Sequence, residues 1–174
     1  MSLKEATAEK HKIAERKLFN IKMFKGELTK AEYLLYLLQQ YQVFSAIEAI
    51  GVPHLSLARA EKVKEDMQEI ISENINENRV LPSTIKYVEY LSKFDKNTIL
   101  PHVYLNYLAV MFGGQMMKSK VPSKGKMYDF ENMQEAMMSI RQVQKDEWAE
   151  EVNIGYDFAI AMFDDLELAI TTNQ

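Results

Sequence analysis

Along most of the chain, hydrophobic residues recur every three or four positions, which is the spacing of one face of an α-helix. Alternating runs rich in Val, Ile and Thr, which are typical of β-strands, are almost absent. Only six Gly and four Pro interrupt the 174 residues. The pattern therefore predicts an all-α protein.

Two of the predicted helices begin with a capping box, in which a Ser or Thr is followed three residues later by Glu. Ser2 opens a helix that runs to about Phe24, where a Lys-Gly pair ends it. Thr29 opens a second helix, Lys30 to about Ile50, which is apolar on nearly every side. We expect this second helix in the centre of the protein.

Five further helices are predicted between segments rich in Pro, Gly, Ser or Asn, over residues 56–72, 82–94, 98–113, 130–144 and 147–170. A chain of this length encloses one hydrophobic core. We therefore expect a single-domain bundle of about seven helices over residues 1–174.

Charge and composition narrow the function classes. Lys and Arg number 21 against 25 Asp and Glu, so the net charge of -4 provides no basic field for nucleic acid. No Cys is present, which excludes disulfides, thiolate nucleophiles and Cys-ligated metals. No apolar run approaches the ~18 residues that span a bilayer. We expect a soluble, cytoplasmic protein with neither nucleic acid nor membrane as a partner.

His11 is the first candidate for chemistry. A helical wheel of the first helix aligns six residues on one stripe, which we expect to face the core: Leu3, Thr7, His11, Ala14, Leu18 and Ile21. Glu15 follows His11 by one turn and is placed to accept a hydrogen bond from the imidazole, an arrangement that orients metal-binding histidines. Two interpretations stay open, a metal ligand and a histidine whose hydrogen bonds are satisfied at the edge of the core.

A glycine pair, Gly113-Gly114, is the second candidate, because it lies within an apolar helical pattern. Two glycines inside a helix cost about 1 kcal/mol each relative to Ala. The pair is explained by a helix C-cap, by close approach of another helix, or by backbone approaching a flat ligand. No Glu-x-x-His motif accompanies it, which argues against a ferritin-type di-iron site.

These segments resemble haem oxygenases. Leu3–Glu15, LKEATAEKHKIAE, is similar to the family's opening helix, in which the His is the proximal iron ligand. Residues 107–115, YLAVMFGGQ, resemble the distal helix, whose glycine pair lets it bend closely over the porphyrin. Residues 26–29 with the tyrosine-rich helix after them, and the last helix from Glu150, also match. The resemblance covers almost the whole chain.

The resemblance implies a set of site residues. His11 becomes the iron ligand, and Glu15 its neighbour. Lys4 and Arg141 fall on positions that bind the haem propionates, and Met111 joins the haem-binding set. The catalytic side comprises residues of the distal helix: Asn106, Tyr107, Gly113 and Gly114.

Two positions depart from the family pattern. The family places Gly-Asp before the glycine pair, and the Asp orders water for proton delivery, whereas this chain has Ala109-Val110. Asn106 stands where many members carry an arginine. We expect Asn106, Tyr107 and backbone carbonyls near the glycines to hold a substitute water chain.

The implied activity is that of a haem oxygenase. Haem is substrate and cofactor, and O₂ with electrons from a reductase or ferredoxin converts it to biliverdin, CO and ferrous iron. The alternative is a non-catalytic haem carrier or sensor of the same fold, which Val110 favours. A third interpretation, a thiaminase-like or dinuclear-metal relative, is opposed by the lack of Cys and of clustered ligands.

Overall fold

The computed structural model describes residues 1–172 and contains nine α-helices and no strand in that range. The helices are α1 Leu3–Glu15, α2 Leu18–Phe24, α3 Lys30–Ile50, α4 Ala60–Ile70, α5 Pro82–Leu91, α6 Leu100–Phe112, α7 Gly114–Met117, α8 Met133–Arg141 and α9 Ala149–Thr172. Short 3₁₀ turns occupy Leu55–Leu57, Lys126–Tyr128 and Asp146–Trp148. The all-α class is confirmed. The helix count exceeds seven because the first predicted helix is divided into α1 and α2, and because the four-residue α7 follows the predicted end of a helix at residue 113.

Both capping boxes form as predicted. Ser2 Oγ accepts from the N–H of Glu5 at 3.2 Å, and the Glu5 carboxylate accepts from the N–H of Ser2 at 2.9 Å. Thr29 and Glu32 make the same reciprocal pair at the start of α3. Each box satisfies backbone donors that a helix start leaves without partners.

The first predicted helix does not run unbroken to Phe24. Lys17 adopts extended backbone, with φ −64° and ψ 138°, and separates α1 from α2. The break turns α2 so that Phe19 and Met23 enter the core, while Leu18 remains 66% exposed. The expectation that Leu18 continues the buried stripe of α1 is therefore wrong, because the stripe ends with α1.

The helix α3 lies at the centre, as its all-round apolar pattern predicts. It packs against α4, α5 and α9, and a run of seven consecutive residues on it is buried: Tyr33, Leu34, Leu35, Tyr36, Leu37, Leu38 and Gln39. The buried amide of Gln39 donates to the carbonyl of Arg79 at 2.8 Å and accepts from the N–H of Leu81 at 2.9 Å. Gln39 thereby fixes the chain that leads into α5.

The last helix, α9, supports both α1 and α6. It runs parallel to α1, since Asn153 donates to the carbonyl of Ala6 at 3.2 Å and Asp164 pairs with Lys17 at 2.9 Å. The helix α6 crosses α9 at Gly155, where an added Cβ would overlap Leu105. A small apolar cluster of three buried residues joins the three helices at one end: Leu3, Leu105 and Val152.

Candidate functional site

His11 lies on the outer side of α1, with its side chain 56% exposed. The expectation that it faces the core is wrong, because α1 packs mainly against α9 and leaves this side open. The imidazole stacks on Tyr156 of α9, with ring centroids 5.8 Å apart. Its Nε2 lies 2.9 Å from Oε1 of Glu15, so the contact expected from the i,i+4 spacing is present. The imidazole is therefore accessible and held in orientation.

Tyr156 connects the His11 side of α1 with α6. Burial, together with smaller effects of the neighbouring Tyr104 and Glu15, raises the pKa of Tyr156 to about 12. Tyr104 belongs to α6 and packs edge-on against Trp148 at 6.4 Å. The exposed imidazole thus lies beside a phenol that is neutral at pH 7 and that neighbours α6.

The outer side of α6 and α7 carries an exposed stripe at helical spacing, formed by Ala109, Phe112, Gly113 and Met116. Phe112 is 55% and Met116 64% exposed. A Cβ added at Gly113 would meet only the carbonyl oxygen of Ala109, at 3.4 Å, so the space in front of this glycine is open. A contiguous exposed apolar surface of this kind is typical of a binding site.

The second glycine of the pair serves packing. A Cβ on Gly114 would lie 3.0 Å from Cε1 of Tyr128 and closer still to Cδ1, so only glycine fits against this ring. Gly113 ends α6 with φ −78°, and the left-handed cap that glycine favours is not formed there. Of the three explanations for the pair, the C-cap holds for the place where α6 ends, but it does not explain why glycine stands there. Close packing explains Gly114. For Gly113, the remaining explanation is a backbone that is open to the approach of a flat ligand.

The loop that carries Tyr128 is anchored by buried polar groups that sequence reasoning missed. The guanidinium of Arg59, 3% exposed, donates to the carbonyls of Met127 at 2.9 Å and Asp129 at 2.6 Å and lies over the ring of Phe130. The carboxylate of Asp66 accepts from two backbone N–H groups of the same loop. Burial raises the pKa of Asp66 and lowers that of Arg59 to about 10. Tyr128 is thereby held against Gly114.

The structure does not bring Tyr107 to the exposed stripe. Its side chain is fully buried on the core side of α6, and its hydroxyl donates to Oε2 of Glu48 at 2.8 Å. The same carboxylate accepts from the backbone N–H groups of Arg59 and Ala60. Because its hydroxyl is committed to Glu48, Tyr107 is a core residue rather than a holder of water at the stripe.

The remaining predicted residues are divided between surface and core. Lys4 is exposed near the start of α1, whereas Met111 is 2% exposed and packs in the core. Arg141 is exposed at the end of α8, donates to Gln144 at 2.7 Å and lies 5.4 Å from the ring centroid of Phe112. Arg141 thus borders the exposed stripe, and Met111 does not contribute to it.

Asn106 is half-buried on α6, three residues before Ala109. Its Nδ2 donates to the hydroxyl of Tyr87 at 3.0 Å and to the carbonyl of His102 at 2.9 Å. Nδ1 of the fully buried His102 lies 2.7 Å from the same hydroxyl. Burial lowers the pKa of His102 to about 4, against the opposing effect of Glu151. No sequence pattern marked these partners, since they come from three different helices.

Two cavities lie elsewhere on the surface. One, of about 400 Å³, lies between α5 and α9 beside Ser83 and Phe158, and the other, of about 270 Å³, lies beside Arg59. Neither is lined by His11 or by the glycine pair. In the range 1–172, no three His, Cys, Asp or Glu residues are grouped to hold a metal ion. Over the same residues, no helix combines the length and apolar composition that crossing a bilayer requires.

Comparison with known proteins gives a consistent set of relatives. A family model described as Heme oxygenase matches residues 1–157. Heme oxygenase 2 of Macaca fascicularis is 27% identical over 98% of this chain and 66% of its own length. Heme oxygenase 1 of Gallus gallus is 29% identical over 71% of this chain and 49% of its own length. The chain therefore spans just under two thirds of the first relative and about half of the second.

Solved structures share the fold. A heme oxygenase-1 from the cyanobacterium Synechocystis, crystallised in complex with heme, superposes with a TM-score of 0.80 at 21% identity, over 98% of this chain and 93% of that one. A heme oxygenase from Leptospira interrogans gives a TM-score of 0.77 at 22% identity, over 94% and 98% of the two chains. The arrangement of helices described above is thus that of these proteins.

Proposed function

The chain belongs to the heme oxygenase family, and from this premise we propose that it binds haem between α1 and the exposed stripe of α6 and α7 and degrades it with O₂. One observation carries the proposal. An accessible imidazole on α1 and an open apolar stripe on α6 are both supported by α9. The first would supply a ligand to the haem iron, and the second would supply an apolar surface for the porphyrin.

The residues present fit a porphyrin. A bound haem would need at least one ligand to its iron from the protein. His11 offers that ligand, and Glu15 and Tyr156 hold the imidazole in orientation. The open space at Gly113 accepts a flat group close to the backbone. Phe112 and Met116 lose exposed apolar area when a porphyrin covers them, and this burial supplies most of the affinity.

The charged residues at the border of the site would pair with the propionates. Arg141 lies beside Phe112, and Lys4 lies near the start of α1. Both side chains are exposed, so each pair contributes about 0 to 1 kcal/mol. Their role is to select the in-plane rotation of the porphyrin rather than to provide affinity.

Bound haem would supply the iron at which O₂ is reduced and the porphyrin carbon that is oxidised. The apolar stripe excludes bulk water from this side. With Val110 buried in place of a carboxylate, Asn106 and the backbone carbonyls near Gly113 hold ordered water from which protons are drawn. We propose biliverdin, CO and ferrous iron as products, with a ferredoxin or a reductase as the electron donor.

A haem titration of the purified protein, followed by single turnover, tests the proposal. We expect one ferric haem per chain, a spectrum of histidine ligation, and biliverdin formation with ferredoxin, its reductase, NADPH and catalase. His11→Ala should abolish the ligation spectrum, and added imidazole should restore it. His54→Ala is the matched control, since His54 pairs with Glu135 away from the site. Unchanged binding by His11→Ala would overturn the assignment.

A haem carrier or sensor is the second candidate function. It is favoured by the apolar Val110 and by Tyr107, whose hydroxyl is committed to Glu48. Both reduce the polar groups available for proton delivery at the stripe. Stoichiometric haem binding with histidine ligation, but haem bleaching or a stable ferryl species instead of biliverdin, would select this function.

A further inference from the structure

A buried hydrogen-bond chain lies behind the exposed stripe and joins α5, α6 and α9. It runs from Asn106 through the hydroxyl of Tyr87 to Nδ1 of His102, over distances of 3.0 and 2.7 Å. Beyond His102, Nε2 makes no hydrogen bond to the residues 1–172 but lies 3.5 Å from the carboxylate of Glu151, which accepts from the hydroxyl of Tyr90 at 2.6 Å. Of these groups, the Asn106 amide lies nearest along α6 to Ala109 and Gly113, three and seven residues before them, and it is half-buried, whereas His102 is fully buried.

The donors and acceptors along this chain have one consistent assignment. Asn106 Nδ2 is a donor, so the Tyr87 oxygen accepts from it and directs its own proton to Nδ1 of His102. Nδ1 is then an acceptor, and the ring proton resides on Nε2, facing the carboxylate of Glu151. The opposite tautomer would leave the Tyr87 proton without a partner and would set the Nε2 lone pair against a carboxylate.

The surroundings of His102 keep this assignment in place. The ring is fully buried and packs against Tyr87, Tyr90 and Phe94, with centroids 5.2 to 5.8 Å apart. Burial disfavours a charged imidazole, and the pKa of His102 is lowered to about 4. Burial likewise raises the pKa of Tyr87, so both groups are neutral at pH 7. The donor and acceptor roles along this hydrogen-bond chain are therefore those of the neutral groups at pH 7.

Both N–H groups of the Asn106 amide donate hydrogen bonds within the protein. One donates to Tyr87 and the other to the carbonyl of His102, one turn earlier on α6. The carbonyl oxygen Oδ1 accepts from none of the residues 1–172 and is not buried. Asn106 precedes Gly113 by seven residues, or two helical turns, so Oδ1 belongs to the stripe side of α6.

We propose that Tyr87 and His102 are positioning residues that turn the Asn106 amide so that it presents a hydrogen-bond acceptor, and no donor, to the stripe of Ala109, Phe112, Gly113 and Met116. An acceptor at this position holds a water by one of its protons, which leaves the other water proton directed into the site. This consequence rests on the proposed haem-binding function, whereas the orientation of the amide does not.

Nuclear magnetic resonance of the protein without haem tests the orientation directly. In the wild-type protein, ¹⁵N correlation spectra should show the neutral His102 tautomer with its proton on Nε2. The Asn106 side-chain N–H protons should exchange slowly with solvent. Removing the acceptor with Tyr87→Phe should accelerate that exchange about tenfold, the equivalent of one hydrogen bond.

Tyr90→Phe is the matched control, because it removes the neighbouring hydroxyl of α5, which bonds Glu151 and not Asn106. It should leave the exchange of the Asn106 amide unchanged. A proton on Nδ1 of His102 in the wild-type protein would overturn the proposal without any variant. Equal exchange in wild type and Tyr87→Phe would overturn it as well.

The C–O stretching band of the ferrous carbonyl complex gives a second readout. A freed Asn106 N–H in Tyr87→Phe becomes a donor toward the site and should shift this band to lower wavenumber, while Tyr90→Phe should not. An unshifted band in Tyr87→Phe would overturn the role of the amide at the site. A protein that binds no haem but shows the expected tautomer and exchange would refute the proposed function and support the orientation.

Discussion

The two sides of α6 differ in how completely their groups are partnered. On the core side, Tyr107 and Arg59 are buried, Glu48 is half-buried, and their polar atoms bond one another or backbone. On the outer side, Phe112 and Met116 are largely exposed, and the space before Gly113 is open. The polar groups on the core side thus have their partners within the folded protein. The outer side keeps apolar groups exposed, and an exposed apolar surface of this kind is typical of a ligand-binding site.

The comparison predicts that substitutions on the core side lower stability and that substitutions on the outer side alter binding. The largest effect is expected at Arg59. Arg59→Ala leaves several buried carbonyls without a donor, each at a cost of about 1 to 3 kcal/mol, and should lower the free energy of unfolding by about 3 to 5 kcal/mol. Denaturant titration measures this change. Lys64→Ala, on the exposed face of α4, should stay within about 0.5 kcal/mol.

The buried His102 predicts a pH dependence of stability. Its pKa is lowered from 6.5 to about 4 in the folded protein, so the unfolded chain takes up a proton that the folded protein refuses in this interval. The part of the free energy of unfolding that depends on this pKa difference is complete above pH 6.5. About 3 kcal/mol is lost as the pH falls to about 4. Between pH 7 and 4, the free energy of unfolding of the wild type should fall by about 3 kcal/mol more than that of His102→Phe. An equal fall in both proteins would contradict the prediction.

Gly113 and Gly114 are adjacent but belong to different sides, since Gly113 faces open space and Gly114 packs against Tyr128. Gly114→Ala places a methyl group against Tyr128, which the anchored loop cannot easily move, and should destabilise by about 1 to 3 kcal/mol. Gly113→Ala meets open space and should be neutral or stabilising by up to about 1 kcal/mol. In haem titrations the order of the two effects should be reversed, because Gly113→Ala should bind haem more weakly than Gly114→Ala. Equal destabilisation by both changes would remove the distinction.

The smallest effect on affinity is expected at the border of the stripe. Arg141→Ala should leave the free energy of unfolding unchanged and reduce haem affinity by less than about tenfold, or ~1.4 kcal/mol, because exposed ion pairs are weak. The ratio of biliverdin isomers should change, since the porphyrin loses one of its orienting partners. Chromatography of the products measures that ratio. A large affinity loss with an unchanged isomer ratio would assign Arg141 to binding instead.

The difference between the two sides was only partly predictable from the sequence. The glycine pair and the apolar residues around it marked the region, because glycine inside a helix is a local anomaly. The wheel of α1 placed His11 inward, whereas α1 packs chiefly on α9 and leaves the imidazole exposed. Periodicity indicates which residues share a face of a helix, but it does not indicate which face another helix covers.

Tyr107 and His102 show the same limit. Tyr107 belongs to the segment that resembles the distal helix, yet its hydroxyl bonds Glu48 from another helix, 59 positions away in the chain. His102 carried no signal in the sequence, and its partners Tyr87 and Glu151 lie 15 and 49 positions from it. Contacts at such separations follow from the packing of whole helices, which local pattern does not encode.

The local features of this protein are predictable from its sequence because they arise from interactions within a few residues of one another. They are the capping boxes at Ser2 and Thr29, the apolar α3 and the all-α class. Three other features become visible only once the helices are packed: the break of α1 at Lys17, the packing of Gly114 beside an open Gly113, and the inward-pointing N–H groups of Asn106. Each of these depends on a neighbour from a distant segment, whose position is set by burial of the whole core.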